Sequence, residues 1–131
     1  MLKLSAHQLQ HFKQSLEERF RQLREEIRQE LLKSEDPDYQ QLAATVHDTE
    51  EESVADLLLD LNLADIDRHV KEIRQVEAAQ NRIEAGNYGI CIDCGVAIPP
   101  QRLEANPAAA RCIECQTLYE HQYAQPGHPS L

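Results

Sequence analysis

The residues whose chemistry is most distinctive are four cysteines, Cys91, Cys94, Cys112 and Cys115, spaced C-x2-C-x17-C-x2-C. Each C-x2-C places two sulfurs on one tight turn, and a 17-residue separation lies in the range of a four-cysteine zinc site. Zn2+ is a d10 ion that takes four ligands tetrahedrally and binds thiolate at about 2.3 Å. Gly95, directly after the first pair, permits the backbone of such a turn. The expected cofactor is one structural Zn2+ held by all four cysteines. Four thiolates leave no open coordination position, so the metal would fold a small polar segment rather than activate water. Two disulfides or a redox pair are the competing readings. Disulfides run against a cytosolic chain, and a thioredoxin-like pair would want a βαβ context that the sequence lacks.

Other chemistry is sparse. His7 and His11 stand at i and i+4, a spacing that can chelate a metal, but with no third ligand in view they read as solvated helix-face residues. No nucleophile–base pair or phosphate loop is apparent, and Gly86, Gly89, Gly95 and Gly127 form no G-x-G-x-x-G fingerprint. An enzyme is not expected. The chain carries a formal net charge of −10, and the acidity sits in residues 35–67, with eleven Asp or Glu and no Lys or Arg. Residues 91–131 hold Arg102 and Arg111 as their only Lys or Arg. A DNA-binding surface clusters such cations, so direct DNA binding is not expected. The acidic block favours basic surfaces or cations, or is simply a solvated loop with an acid-rich helix start.

The elements that must position these groups are helical. In 131 residues without Trp and with 5% aromatics, a large compact core is not expected. Leu9, Phe12, Leu16, Phe20, Leu23, Ile27 and Leu31 step by three or four, predicting an amphipathic helix over about 5–33. Ser5 and Gln8 form a capping box at its start, Leu4 and Leu9 a hydrophobic staple, and Pro37 closes its end. Residues 34–48 read as a connector with a turn or two of helix. Thr49 and Glu52 form a second capping box that would open a helix over about 49–85, carrying Val54, Leu58, Leu61, Ile66, Val70, Ile73 and Ile83 and stopping at Gly86. The spacing between Leu61 and Ile66 predicts a local shift of the seam. Two such helices, roughly 45–50 Å long, would bury their stripes as an antiparallel hairpin with coiled-coil packing, although self-association would bury them equally well. The expected organisation is a hairpin over 1–86 with an acidic tip, and a zinc finger over 87–125 ending in a helix from Cys112 to Tyr123. In that helix Leu118 and Tyr119 would pack back, and a disordered tail would follow over 126–131. No apolar run approaches the roughly 18 residues a membrane helix needs. Lys3, Lys13, Glu17, Glu18 and Arg19 leave no signal-peptide core, so a soluble cytoplasmic protein is expected.

The segments G-N-Y-G-I-C-I-D-C-G (Gly86 to Gly95), I-P-P-Q-R-L-E-A-N-P (Ile98 to Pro107) and C-I-E-C-Q (Cys112 to Gln116) follow this acidic helical hairpin. Together they make the chain resemble the DksA/TraR family of bacterial transcription regulators. The resemblance is dense over about residues 83–119 and architectural over the hairpin. It implies an all-α cytoplasmic protein that binds RNA polymerase, with the coiled coil in the enzyme's secondary channel and acidic tip residues near the active site. Where the family carries D-x-x-D-x-A, this chain offers D-T-E-E-E-S, with Asp48, Glu51 and Ser53 at the patterned positions. The second carboxylate is one methylene longer, and a hydroxyl replaces a small apolar group. By the same resemblance Arg68 and Arg102 are candidate polymerase contacts, beside the plainer readings of a solvated helix face and an ion pair. A monomer is expected. A coiled-coil zinc adaptor for another protein, or a zinc-thiolate redox sensor, would account for the same features.

Overall fold

Local capping chemistry sets where the first helix begins. Ser5 Oγ accepts from the Gln8 N–H at 3.1 Å, and the Gln8 side chain accepts from the Ser5 N–H at 2.9 Å. In the computed structural model, which describes residues 4–49, 53–58 and 64–123, helix α1 spans Ala6–Leu32. Phe12, Leu16, Leu23, Ile27 and Leu31 from its stripe are each no more than 2% exposed.

Pro37 ends nothing that Asp36 does not restart. The Asp36 carboxylate accepts from the Asp38 N–H at 2.9 Å, and Pro37 occupies the first turn of helix α2, Pro37–Asp48. A proline there loses no hydrogen bond, because first-turn N–H groups have no partner inside the helix. The expected connector over 34–48 is therefore mostly helix. α2 packs back along α1, and its Ala43 and Val46 are buried.

The single helix expected over 49–85 is divided. Thr49, expected as its N-cap, is the C-cap of α2 with φ −76° and ψ 134°; Glu52, its expected partner, lies outside the described residues. Ser53 caps a short helix, α3, Val54–Leu57, by accepting from the Asp56 N–H at 3.1 Å. Helix α4 then spans Ala64–Ala85. Leu61, where the shift of the seam was expected to begin, lies outside the described residues. α3 docks on α4 through Glu77, which accepts from Ser53 Oγ at 2.7 Å and from the Val54 N–H at 2.9 Å. Val54, Ala55 and Leu58 are buried beside it.

α1 and α4 form the expected antiparallel pair. Arg19 meets Glu72, and Glu26 approaches His69 Nε2 at 3.3 Å, so positions rising along α1 meet positions falling along α4. α2 and α3 lie against this pair, making a small bundle of what was expected as a bare hairpin. This packing distributes the described part of the acidic stretch along the bundle. α1 turns into α2 at residues 33–36, so Glu35 and Asp36 sit at that turn, while Asp48 ends α2, which packs back along α1. Ser53, held by Glu77, stands roughly 20 Å along α4 from Ala64 at 1.5 Å per residue. The cause is burial: a free hairpin tip would leave Ala43, Val46, Val54 and Leu58 in water.

Gly86 ends α4 in the left-handed region, φ +81°. Its N–H reaches the Ile83 carbonyl at 3.1 Å, and the Asn87 N–H reaches that of Arg82 at 3.0 Å, the paired bonds of a Schellman closure. The finger follows, with a lone antiparallel bridge between Ile90 and Ala97, helix α5, Pro100–Ala105, and helix α6, Ile113–Tyr123. The finger is seated on the bundle. Phe12 and Tyr88 face each other at 6.0 Å between centroids, the Tyr88 hydroxyl donates to the Pro107 carbonyl at 2.7 Å, and His11 Nε2 lies 2.9 Å from Glu104. Leu118 does not pack back as expected but remains 63% exposed; Tyr119 is 39% exposed. The tail expected to be disordered, 126–131, lies outside the described residues. Among the described residues no helix is long and apolar enough to cross a membrane.

Candidate metal centre

Two backbone turns bring the sulfurs together. In the first, the Gly95 N–H donates to the Cys91 carbonyl at 3.0 Å, and the Cys91 N–H donates to the Val96 carbonyl at 2.8 Å. This folds Cys91 and Cys94 onto one side. Gly95 has φ +78°, where a side chain would be strained. The second pair sits at the start of α6, so Cys112 and Cys115 are one helical turn apart, and the Cys115 N–H lies 3.5 Å from Cys112 Sγ.

All four sulfurs lie within 4.8 Å of one another, and Cys94 Sγ is 3.7 Å from Cys112 Sγ. A tetrahedron with metal–sulfur bonds of about 2.3 Å has edges of about 3.8 Å. None of the four is in a disulfide. Burial pushes the Cys91 thiol up, but backbone N–H donors from Cys112, Cys94 and Asp93 outweigh it and bring it down to about 6. Cys115 is raised, chiefly by its hydrogen bond with Cys112. Each thiol that binds a divalent cation does so as thiolate, giving up its proton to the metal. The donor set fits zinc.

Comparison with known proteins agrees. Residues 86–121 match the family model of the prokaryotic dksA/traR C4-type zinc finger. The chain is 36% identical over 113 residues to the RNA polymerase-binding transcription factor DksA of Salmonella typhimurium, covering 86% of this chain and 72% of that one. It is 35% identical over the same length and shares to the DksA of Escherichia coli K12. The chain belongs to the DksA/TraR family. The transcription factor DksA2 of Pseudomonas aeruginosa has the same fold, with a TM-score of 0.62 at 23% identity over 92% of this chain and 89% of that one. DksA/TraR membership makes this a zinc-finger protein of a transcription-factor family, not an enzyme. Among the described residues the four cysteines are the only group of three or more His, Cys, Asp and Glu side chains placed to hold a metal. His11 turns instead to Glu104.

The other sequence-derived candidates do not gather at this centre. Asp48 ends α2 with its side chain 78% exposed, beside His47 Nδ1 at 3.0 Å. Glu51 lies outside the described residues. Arg68 is exposed on α4, close enough to help lower the Glu72 carboxyl, whose main partner is Arg19. Arg102 is half-buried, and its Nε donates to the Arg111 carbonyl at 2.9 Å, tying α5 to the residue before Cys112. Arg111 Nε donates to Asp93 at 2.7 Å. Both cations of the finger therefore work inside it. Sequence reasoning missed this because the partners, a carbonyl nine residues away and a carboxylate eighteen away, leave no periodic trace.

Proposed function

We propose that this protein is a transcription regulator that binds RNA polymerase, with one structural zinc holding the finger on the base of the helical bundle. The observation that carries this reading is the match along 86% of the chain to proteins named as RNA polymerase-binding factors. The charge distribution supports it. An acidic rod and a finger whose Arg102 and Arg111 are engaged internally are poorly suited to phosphate backbones. The protein would act in the cytoplasm as a monomer, without binding DNA itself.

In the finer reading the rod enters the polymerase secondary channel and its carboxylates bias a cation-rich catalytic centre. Asp48 and Glu51 are the residues assigned to that role, with Arg68 and the outer guanidinium nitrogens of Arg102 as further contacts. Glu35 and Asp36, at the α1–α2 turn, offer a second set of carboxylates. The test is co-purification with core RNA polymerase and an initiation assay, comparing the parent with Asp48→Asn/Glu51→Gln and with Glu35→Gln/Asp36→Asn. The parent is expected to bind, and the first double variant to bind but regulate differently. No measurable affinity of the parent for polymerase would overturn the partner. Unchanged regulation by the Asp48/Glu51 variant would overturn their role and leave the partner standing.

A further inference from the structure

Arg111 occupies a junction that its sequence position does not announce. It immediately precedes Cys112, yet its Nε donates at 2.7 Å to Asp93, which stands between Cys91 and Cys94 on the other turn. Its guanidinium carbon lies over the Tyr119 ring on α6, 4.0 Å from the centroid and one turn beyond Cys115. Its own carbonyl is fixed by Arg102 Nε at 2.9 Å. The Arg111 side chain is 20% exposed and Asp93 46%. Beside it, the Ile92 N–H donates to the Ala110 carbonyl at 2.9 Å, a second tie between the same two segments.

We propose that Arg111 is a positioning residue for the metal site: through Asp93 and Tyr119 it holds the two C-x2-C turns and α6 in register, and so sets how tightly zinc is retained. A four-thiolate site loses zinc by releasing one sulfur at a time, and each released sulfur is recaptured only while its turn stays in place. A planar guanidinium suits this task. It can pair with a carboxylate along its edge and stack an aromatic ring on its face at once, which an ammonium cannot do. Partners outside the ligand set alter metal affinity by about 10–100-fold when removed.

The inference rests on the zinc assignment, so the experiment begins with the parent chain. Zinc-loaded full-length protein is mixed with a chromophoric chelator, and transfer of zinc is timed at a temperature where helix content shows every variant folded. Arg111→Ala and Arg111→Lys are both expected to release zinc at least about 10-fold faster than the parent, with α1–α4 unfolding at the parent's temperature. Tyr119→Leu is expected to speed release in the parent background and to add nothing in the Arg111→Ala background. Should Arg111→Ala fail to fold, Arg111→Lys and Tyr119→Leu decide the matter. Release from Arg111→Lys at the parent's rate would mean that charge alone matters and would overturn the proposal, as would additive effects of the Tyr119 and Arg111 changes. A parent that takes up no zinc would overturn the metal assignment itself, and this inference with it.

Discussion

Arg19 and Glu72 illustrate how a side-chain pair across α1 and α4 contributes. Arg19 Nη2 donates to Glu72 at 2.8 Å and its Nε donates to the other carboxylate oxygen. The hydrogen bonds from Arg19 hold the Glu72 carboxyl below its usual range against the opposing effect of burial. A depressed folded-state pKa means the stabilisation is present above the unfolded carboxylate value of about 4.3 and disappears as pH falls through the folded value. The side chains are 37% and 38% exposed, so solvent screening leaves the pair worth about 0.5–1 kcal/mol. Glu72→Gln is therefore expected to lower stability by that amount at pH 7 and by much less near pH 3. Denaturant melts of both proteins at the two pH values measure it, and an equal difference at both would show that the pair's charge is irrelevant.

At the scale of elements, the docking of α3 on α4 depends on one carboxylate. Glu77 accepts from Ser53 Oγ and from the Val54 and Ala55 N–H groups, the last at 3.4 Å. It thereby satisfies the first amide donors of α3, where a negative charge is also favoured by the helix dipole. Ser53 is, with Glu51, one of two positions at which this chain departs from the D-x-x-D-x-A pattern, and the structure gives its hydroxyl two uses: it caps α3 and donates to Glu77. Glu77→Ala would leave those groups without a partner, at a cost of about 1–3 kcal/mol. The expected outcome is local. Hydrogen exchange at Val54 and Ala55 should accelerate by roughly 5–140-fold, following from that cost at 1.4 kcal/mol per tenfold, while amides in the middle of α1 keep the parent rate. Acceleration spread evenly over α1 would show that α3 is not a separately docked element.

Across the whole molecule, the bundle and the finger draw on different sources of stability. Leu16, Leu23, Ile27, Leu31, Ile73 and Val76 are fully buried side chains that belong to the helices alone. The finger contributes Tyr88, Ile98, Leu103 and Ala109, too few to offset the entropy of ordering its turns without a metal. Stripping zinc with a strong chelator is therefore expected to abolish the near-ultraviolet signal of Tyr88 and to retain most of the far-ultraviolet helical signal. Collapse of the helical signal together with the finger would show one cooperative unit instead.

The sequence by itself determined what short-range chemistry controls: the clustered four cysteines, the capped start of α1 and the glycine that ends α4. Each is a matter of ligand spacing, a reciprocal cap or a left-handed residue, and the partners lie within a few residues or repeat a fixed motif. Only the tertiary structure decided the course of residues 34–49 and 53–58, because Ser53 finds its partner 24 residues away at Glu77, and apolar periodicity does not say which surface a stripe will cover. Pro37 marked the end of α1 in the sequence, but that Asp36 and Pro37 also start α2, and that α2 folds back to bury Ala43 and Val46, came only from the packed chain. The same limit applies to Arg102 and Arg111: their charge was visible in the sequence, but only the packed finger assigns that charge to its own backbone and to Asp93.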